Sequence, residues 1–413
     1  MQYLVAVCLL VGMQQQCYAA PLTLKQAQAV ALSQSPEIKS LQASRIALSQ
    51  QAIAAGQLAD PKLIVGAMNV PVDNFNFSQE PMTQIQFGLS QSFPRGHSLR
   101  YKTFHEQDLS LEKFYRQRQM RLQILRNVRM SWLNLYYWNH AKRIILKQKK
   151  IFIHLVKVTE SMLANNKAHQ KDVIGAQLEL SELDNRLLEV NQKIAIARAA
   201  LSRWIGQGLA QVANPTRLPR WPSPALASIV HNSIKMHPEL RADSELIKAN
   251  KANVELAKQQ FWPGFSVGVV YGVRQGENVD GNKRADFLST RLSMDLPIFA
   301  YNRQDRQLKA SEESLVATKE NQISDYRQLH EELIRQYAIW KEQGQSVRLF
   351  KNDLLPKAKH YAKASLAAYQ NAQTDFQSLA RAFVTELNTQ LNQLQARVNQ
   401  KLAQVNLLYL QGK

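Results

Sequence analysis

Gln84-Ile85-Gln86-Phe87-Gly88-Leu89-Ser90-Gln91-Ser92-Phe93-Pro94 is the stretch that decides the fold. Ile85, Phe87, Leu89 and Phe93 fall on one side, and Gln84, Gln86, Gly88, Ser90 and Ser92 on the other. Period-two alternation of this length marks a strand between two different environments. The end of the stretch, Leu89 to Pro94, returns some 200 residues later as Leu292-Ser293-Met294-Asp295-Leu296-Pro297, one residue out of step. Working outward, Ser35-Pro36-Glu37-Ile38 returns as His237-Pro238-Glu239-Leu240, Asp60-Pro61 as Trp262-Pro263, and Gly66 as Gly268. Each copy therefore has one order: helix, strand, loop, strand, Pro, very long helix. Pro36 and Pro94 mark the first copy, Pro238 and Pro297 the second. The period is too long for a small solenoid repeat and fits a duplicated domain around a pseudo-symmetry axis.

The boundaries read as a leader over 1–20, a first copy over 21–214 and a proline-rich connector over 215–224, then a second copy over 225–413. Strands are expected near 61–70 and 83–93, then near 264–274 and 285–297. In the third, Phe265, Val267, Val269, Tyr271 and Val273 alternate with Ser266, Gly268, Val270, Gly272 and Arg274. In the fourth, Leu288, Leu292, Met294 and Leu296 alternate with Phe287, Ser289, Arg291, Ser293 and Asp295, while the first alternates poorly. About ten residues suits a tilted strand crossing an outer membrane, where roughly 9–11 span the hydrocarbon. One face then meets lipid and the other a wet lumen, which houses Arg274, Arg291 and Asp295 more cheaply than a core. The rival is a soluble four-stranded sheet covered by helices. Four strands cannot close a barrel, and an open edge in lipid leaves backbone groups unpaired, so several chains must contribute. Three would give twelve strands. The polar, turn-rich loops 71–82 and 275–284 are expected outside the cell.

Leu4 to Met13 is apolar and Ala19 and Ala20 are small, as in a secretory signal cleaved after one of them. Cys8 and Cys17 both fall inside it, so the mature chain has no disulfide and no Cys metal site. The formal charge of +20 admits nucleic acid, an anionic membrane surface, or simple solvation. The basic residues are scattered along helices without a finger, a phosphate loop or an RNA-binding signature, so no nucleic-acid partner is expected.

Residues 24–57 and 223–260 read as the first helical region of each copy, and 98–163 and 301–355 run with few breakers. A 60-residue helix extends about 90 Å, which indicates a coiled coil or helical tube. Turn signals at Ala164-Asn165-Asn166-Lys167-Ala168 and Ala368-Tyr369-Gln370-Asn371-Ala372 send the chain back through helices at about 171–206 and 374–408. Leu379, Phe383, Leu387, Leu391, Leu394 and Val398 form a packing seam on the second. In the connector, Leu218 and Trp221 offer apolar anchors for a strap beside the helices. The fold class is mainly α with a small transmembrane β part, four strands and two long helical hairpins per chain.

The element order, the Ser35-Pro36-Glu37 and His237-Pro238-Glu239 starts, the Leu296-Pro297-Ile298-Phe299 strand end and the Tyr369-to-Ala372 turn resemble the TolC-type outer membrane efflux family. The resemblance covers essentially the whole mature chain and is nearest to the heavy-metal efflux branch typified by CzcC and CusC. It implies a homotrimeric α/β-barrel, with twelve strands in the outer-membrane lipid and a helical barrel in the periplasm. It implies docking to a periplasmic adaptor and an inner-membrane pump of the RND type. The chain would be a passive exit duct for heavy-metal cations, with multidrug efflux as the alternative cargo. A non-channel periplasmic helical protein is the rival from another class. The family carries acidic residues near its periplasmic opening. Here Asp172 and Asp375 are the candidates, and Ser378 stands where one characteristic carboxylate would be. Lys167, Lys171, Tyr369 and Arg381 are candidate gate or docking partners. Some members carry an N-terminal lipid, and the three glutamines before Cys17 argue against one here.

No residue set asks for catalysis, and no cofactor or metal site is expected. His154 and His169 lie on helical surfaces without a nearby Ser and Asp set, His237 belongs to a helix-start motif, and His360 stands near the second hairpin tip with Lys357 and Lys359; the nine histidines form no metal cluster by spacing.

Overall fold

The computed structural model describes residues 22–224 and 234–413. The expected leader over 1–20 lies outside the described residues, as do residues 225–233 at the head of the second copy. The described chain divides into two compact units. One holds residues 36–123, 224, 234–335 and 407–413, and contains the sheet; the other holds residues 22–35, 124–223 and 336–406, and contains both hairpin turns.

Helix α1 (Leu24–Gln34) opens on a capping box, in which Thr23 Oγ1 accepts from the Gln26 N–H at 3.3 Å and Gln26 Oε1 accepts from the Thr23 N–H at 2.9 Å. The expected single helical region over 24–57 is two helices, because Pro36 disfavours helical backbone at Ser35, which sits at φ −58°, ψ 119°. Pro36 then starts α2 (Pro36–Ala55). The second copy repeats the device: His237 is extended at φ −59°, ψ 135°, and Pro238 begins the later helix Pro238–Gln259. Both X-Pro-Glu motifs are therefore helix starts, with the missing proline N–H placed where no partner is needed.

In the sheet unit, β1 (Lys62–Met68), β2 (Gln84–Phe93), β3 (Phe265–Arg274) and β4 (Phe287–Met294) form one antiparallel sheet in the order β1-β2-β3-β4. The outer strands are shorter than expected, each for a local reason. β1 stops at Asn69, whose φ of 56° breaks the extended path. β4 starts only after Asp286, whose carboxylate takes the Arg274 N–H at 2.9 Å in place of a ladder bond. Its last partner bond runs from the Asp295 N–H to the Gly264 carbonyl at 2.8 Å, and Pro297 has no N–H with which to continue.

Helix α3 (Ser98–Ala164) is 67 residues long without a break, about 100 Å at 1.5 Å per residue. It is followed by α4 (Gln170–Ile205), α5 (Gln207–Val212), α6 (Pro238–Gln259) and α7 (Gln304–Leu349). The run expected over 301–355, with few breakers, is interrupted near its end. A single π turn, Phe350–Leu354, separates α7 from α8 (Leu355–Gln370), and α9 (Phe376–Leu410) completes the chain. The cause is Pro356, which cannot donate and whose ring crowds the Asn352 carbonyl four residues earlier.

In the turn-bearing unit, Leu133, Tyr136, Ala141, Leu394, Val398 and Val405 form a buried cluster, against which Leu218 and Trp221 of the connector pack. The Gln404 amide donates to the carbonyls of Pro222 at 2.7 Å and Trp221 at 3.3 Å, and Lys401 lies over the Trp221 ring.

The sheet unit buries a charged cluster. Arg116 on α3 donates to Asp243 on α6 at 2.7 Å and to Glu112 at 3.0 Å, and both acids are buried. Glu239 on α6 also bears on Arg116, so one guanidinium faces three carboxylates, and Asp325 on α7 adds negative charge beside Asp243 and Glu239. Burial pushes the Asp243 carboxyl up to about 6. Arg116 pulls it down, while Asp325 and Glu239 push it up. Burial and Asp325 likewise raise Glu239.

Candidate functional site

Two regions hold the candidate chemistry: the hairpin turns and the sheet faces. The two turns are built alike. The Lys167 N–H bonds the Met162 carbonyl at 2.8 Å and the Asn166 N–H bonds Leu163 at 2.9 Å, with Asn166 at φ 55°. In the second turn Gln373 bonds Ala368 at 2.9 Å and Ala372 bonds Tyr369 at 2.9 Å, with Ala372 at φ 55°. This paired pattern, closed by a left-handed residue, satisfies the last carbonyls of a helix.

The equivalent caps then exchange their acids. Asp172 is the third residue of α4, and its carboxylate accepts from the His169 N–H at 3.0 Å. Asp375 caps α9, and its carboxylate accepts from the Ser378 N–H at 2.9 Å. Ser378 therefore occupies in the second turn the place that Asp172 holds in the first. Asp172 is buried and Asp375 exposed. Hydrogen bonds from Ser378, helped by Lys171, hold the Asp375 carboxyl below the usual carboxylate range.

Lys171, Asp172, Asp375 and Arg381 come together on one cavity of about 470 Å³ between α4 and α9. Lys167 stays exposed on its turn, and Ser378 serves the cap. Tyr369 is buried beneath, edge-on to Phe376 at 6.0 Å, and burial raises its phenol. Sequence reasoning missed Leu178, Glu179 and Phe376 in the cavity wall, and the neighbouring Ile174 on α4; Ile174 and Leu178 are 56% and 60% exposed. The signal was present as apolar residues four apart at the head of α4.

The caps set an expected result. Asp375→Ala should cost about 1 kcal/mol, the usual value of an N-cap carboxylate. Because this carboxyl is held low, its contribution is complete above the ordinary carboxylate range and is lost as pH falls through the depressed value. Thermal unfolding of wild type and variant at neutral pH and in strong acid reads this difference. An equal loss at both would discard the cap account.

The sheet register sorts its side chains into two faces. Directly paired residues share a face. One face stacks the rows Leu63–Leu89–Val269, Val65–Phe87–Tyr271–Leu288 and Ala67–Ile85–Val273. It ends on Phe93, Phe265 and Met294, with the two rings stacked at 5.0 Å. Most of these apolar side chains are exposed, to 72% at Leu63 and Leu288, while Ile85, Phe93 and Val273 are half-buried. The opposite face carries Lys62–Ser90–Gly268–Arg291, Ile64–Gly88–Val270–Ser289 and Met68–Gln84–Arg274. β1 and β4 leave two edges without a strand partner among the described residues. A contiguous exposed apolar face of this kind marks a membrane or an assembly surface. No helix among the described residues is long and apolar enough to cross a membrane.

Residues 229–413 match the family model described as outer membrane efflux protein. The second copy is thus similar to outer membrane efflux proteins. Over these residues the family model agrees with the resemblance read from the repeat motifs. Over 254 residues the chain is 23% identical to the multidrug resistance outer membrane protein MdtP of Shigella flexneri, covering 58% of this chain and 50% of that protein. The chain spans about half the length of the curated relatives it matches. Its fold is shared with the outer-membrane channel OprN at a TM-score of 0.80 and 16% identity, covering 94% of this chain and 90% of that one. VceC of Vibrio cholerae gives 0.78 and 17% over 94% and 96%. CusC gives 0.77 and 15% over 94% and 92%.

Proposed function

We propose that the chain is the passive exit duct of a tripartite efflux system and works as a homotrimer. The observation that carries this is the sheet: an exposed apolar face, a polar face behind it, and two open edges. In lipid those edges need strand partners, and three copies of four strands supply a closed barrel of twelve. The turns around 165–172 and 369–378 form the periplasmic opening and the rim that docks a periplasmic adaptor, which connects to an inner-membrane pump of the RND type. Asp172 and Asp375 act there as gate residues, with Lys167, Lys171, Tyr369 and Arg381 as gate or docking partners. The cavity that joins Lys171, Asp172, Asp375 and Arg381 supports this reading.

Two cargo classes follow from the similarities. Heavy-metal cations follow from the branch resemblance and the CusC fold match. Small molecules follow from the relatives named for multidrug resistance, which share sequence over more than half of this chain. The second class is favoured, since the sequence match is the more direct likeness. A strain lacking the gene should become sensitive to antibiotics rather than to metals, and the purified protein should run as a trimer in mild detergent. A monomer stable without detergent would overturn the duct.

A further inference from the structure

The four strands contain Lys62, Arg274 and Arg291 and not one Asp or Glu. The register puts all three cations on the polar face. Lys62 and Arg291 lie in one row, Lys62–Ser90–Gly268–Arg291, at its two edges. Both are exposed, and neither makes an ion pair among the described residues. Their neighbours in the row are a serine and a glycine, too small to cover them. Arg274 sits in the row Met68–Gln84–Arg274, held by the carbonyls of Ala285 at 2.6 Å and Pro81 at 3.0 Å and stacked 3.8 Å over Phe287. Acids flank the strands without entering them: Asp60 stands two residues before Lys62, and Asp286 and Asp295 lie past the ends of β4. Asp295 is already paired with Arg95 at 3.4 Å, and Asp286 is engaged by the Tyr271 hydroxyl and the Arg274 N–H. Below the Ser92, Ser266 and Ser293 hydroxyls, a cavity of about 730 Å³ adds Arg95 and Lys102 against the single Asp295.

We infer that the lumen of the strand region selects for anions, and that the cargo is a net-anionic or neutral small molecule rather than a free divalent cation. The inference rests on the channel reading above, in which the polar face lines the pore, and it narrows the cargo of that same pore. Three copies repeat the Lys62 and Arg291 row around one lumen. Low-dielectric walls lined by one sign of charge focus the field on the pore, concentrate counter-ions and exclude like-charged ions. A chain whose surplus cations faced only solvent would lack this effect. The sheet register shows that the strand cations share the face opposite the apolar one.

The test uses the full chain, since Cys8 and Cys17 are its only cysteines and both lie in the expected leader. Ser90→Cys places a probe in the charged row, and Leu89→Cys places one on the apolar face. Rates are measured on intact cells with an anionic and a cationic methanethiosulfonate, each normalised to a free thiol. Ser90→Cys should favour the anionic reagent by roughly tenfold, and the preference should vanish when Lys62→Gln and Arg291→Gln are added. A Ser90→Cys protein that reacts equally with both reagents, or whose preference ignores those two changes, overturns anion selection and leaves the channel standing. Reaction at Leu89→Cys with none at Ser90→Cys would reverse the faces and bring down the channel reading itself.

Discussion

Arg116→Ala is expected to cost about 3–5 kcal/mol, the range for removing one partner from a buried ion pair. Arg116 is the cation shared by Asp243 at 2.7 Å and Glu112 at 3.0 Å. Without it, buried Asp243 loses its counter-ion and buried Glu112 keeps only its pair with Lys113 at 3.0 Å, while Asp325 and Glu239 add repulsion at Asp243. Acid should rescue the variant, and the sign of the wild-type response follows from the same cluster. Asp243 is raised from an ordinary 3.8 to about 6, so between those values the folded chain holds a proton that the unfolded chain has released. Stability contributed by this group is therefore greatest below pH 4 and falls as pH rises through 6. A rise of about two corresponds to about 3 kcal/mol at most. Asp243→Asn should flatten the response between pH 5 and 8, and urea unfolding in detergent across that range measures it. A wild-type stability that rises from pH 5 to 8, with no change of slope in Asp243→Asn, would show that the cluster does not control it.

Leu89→Arg should cost about 2–4 kcal/mol, as for a cation near the bilayer midplane on the lipid face of a barrel. Ser90→Arg, one residue away, should cost less, because it points to the polar face, where its charge stays in water and the penalty is the milder repulsion from Lys62 directly opposite. The comparison holds strand, depth and substituted residue nearly constant and changes only the face. Recovered trimer and its denaturant midpoint in liposomes read the difference. Equal losses at both positions would mean that the two faces meet the same medium, and the soluble-sheet reading would return.

The hairpin turns show where sequence reasoning reaches its limit. Asp172, Asp375, Ser378 and the turn residues could be named because short-range signals mark the end of one helix and the start of the next. Their roles as caps could not be told apart in advance. The exchange of the acid between third position and cap depends on which residue ends the turn, and that is a matter of one φ angle, at Asn166 and at Ala372. Glu179 and Phe376 join the cavity only because α4 and α9 lie side by side.

What the sequence determined by itself is the part governed by local rules. Period-two alternation marked the second, third and fourth strands, the Pro motifs marked the helix starts, and the repeat supplied the duplicated order of elements, the poorly alternating first strand included. The breaks in the first and second long runs were also written there, in Pro36 and Pro356, although only the dihedrals of Ser35 and the π turn at 350–354 displayed their force. The tertiary structure alone decided the pairing of strands far apart in the chain. β2 meets β3 across some 180 residues, and that register puts Lys62 and Arg291 in one row on the face away from Leu89 and Val269. It also decided that Arg116 would answer for three carboxylates from two helices, with Asp325 of a third beside them. Alternation states that a side chain has two faces to choose between. Which distant residue shares its face is fixed by hydrogen-bond register and helix packing, and these are properties of the folded chain.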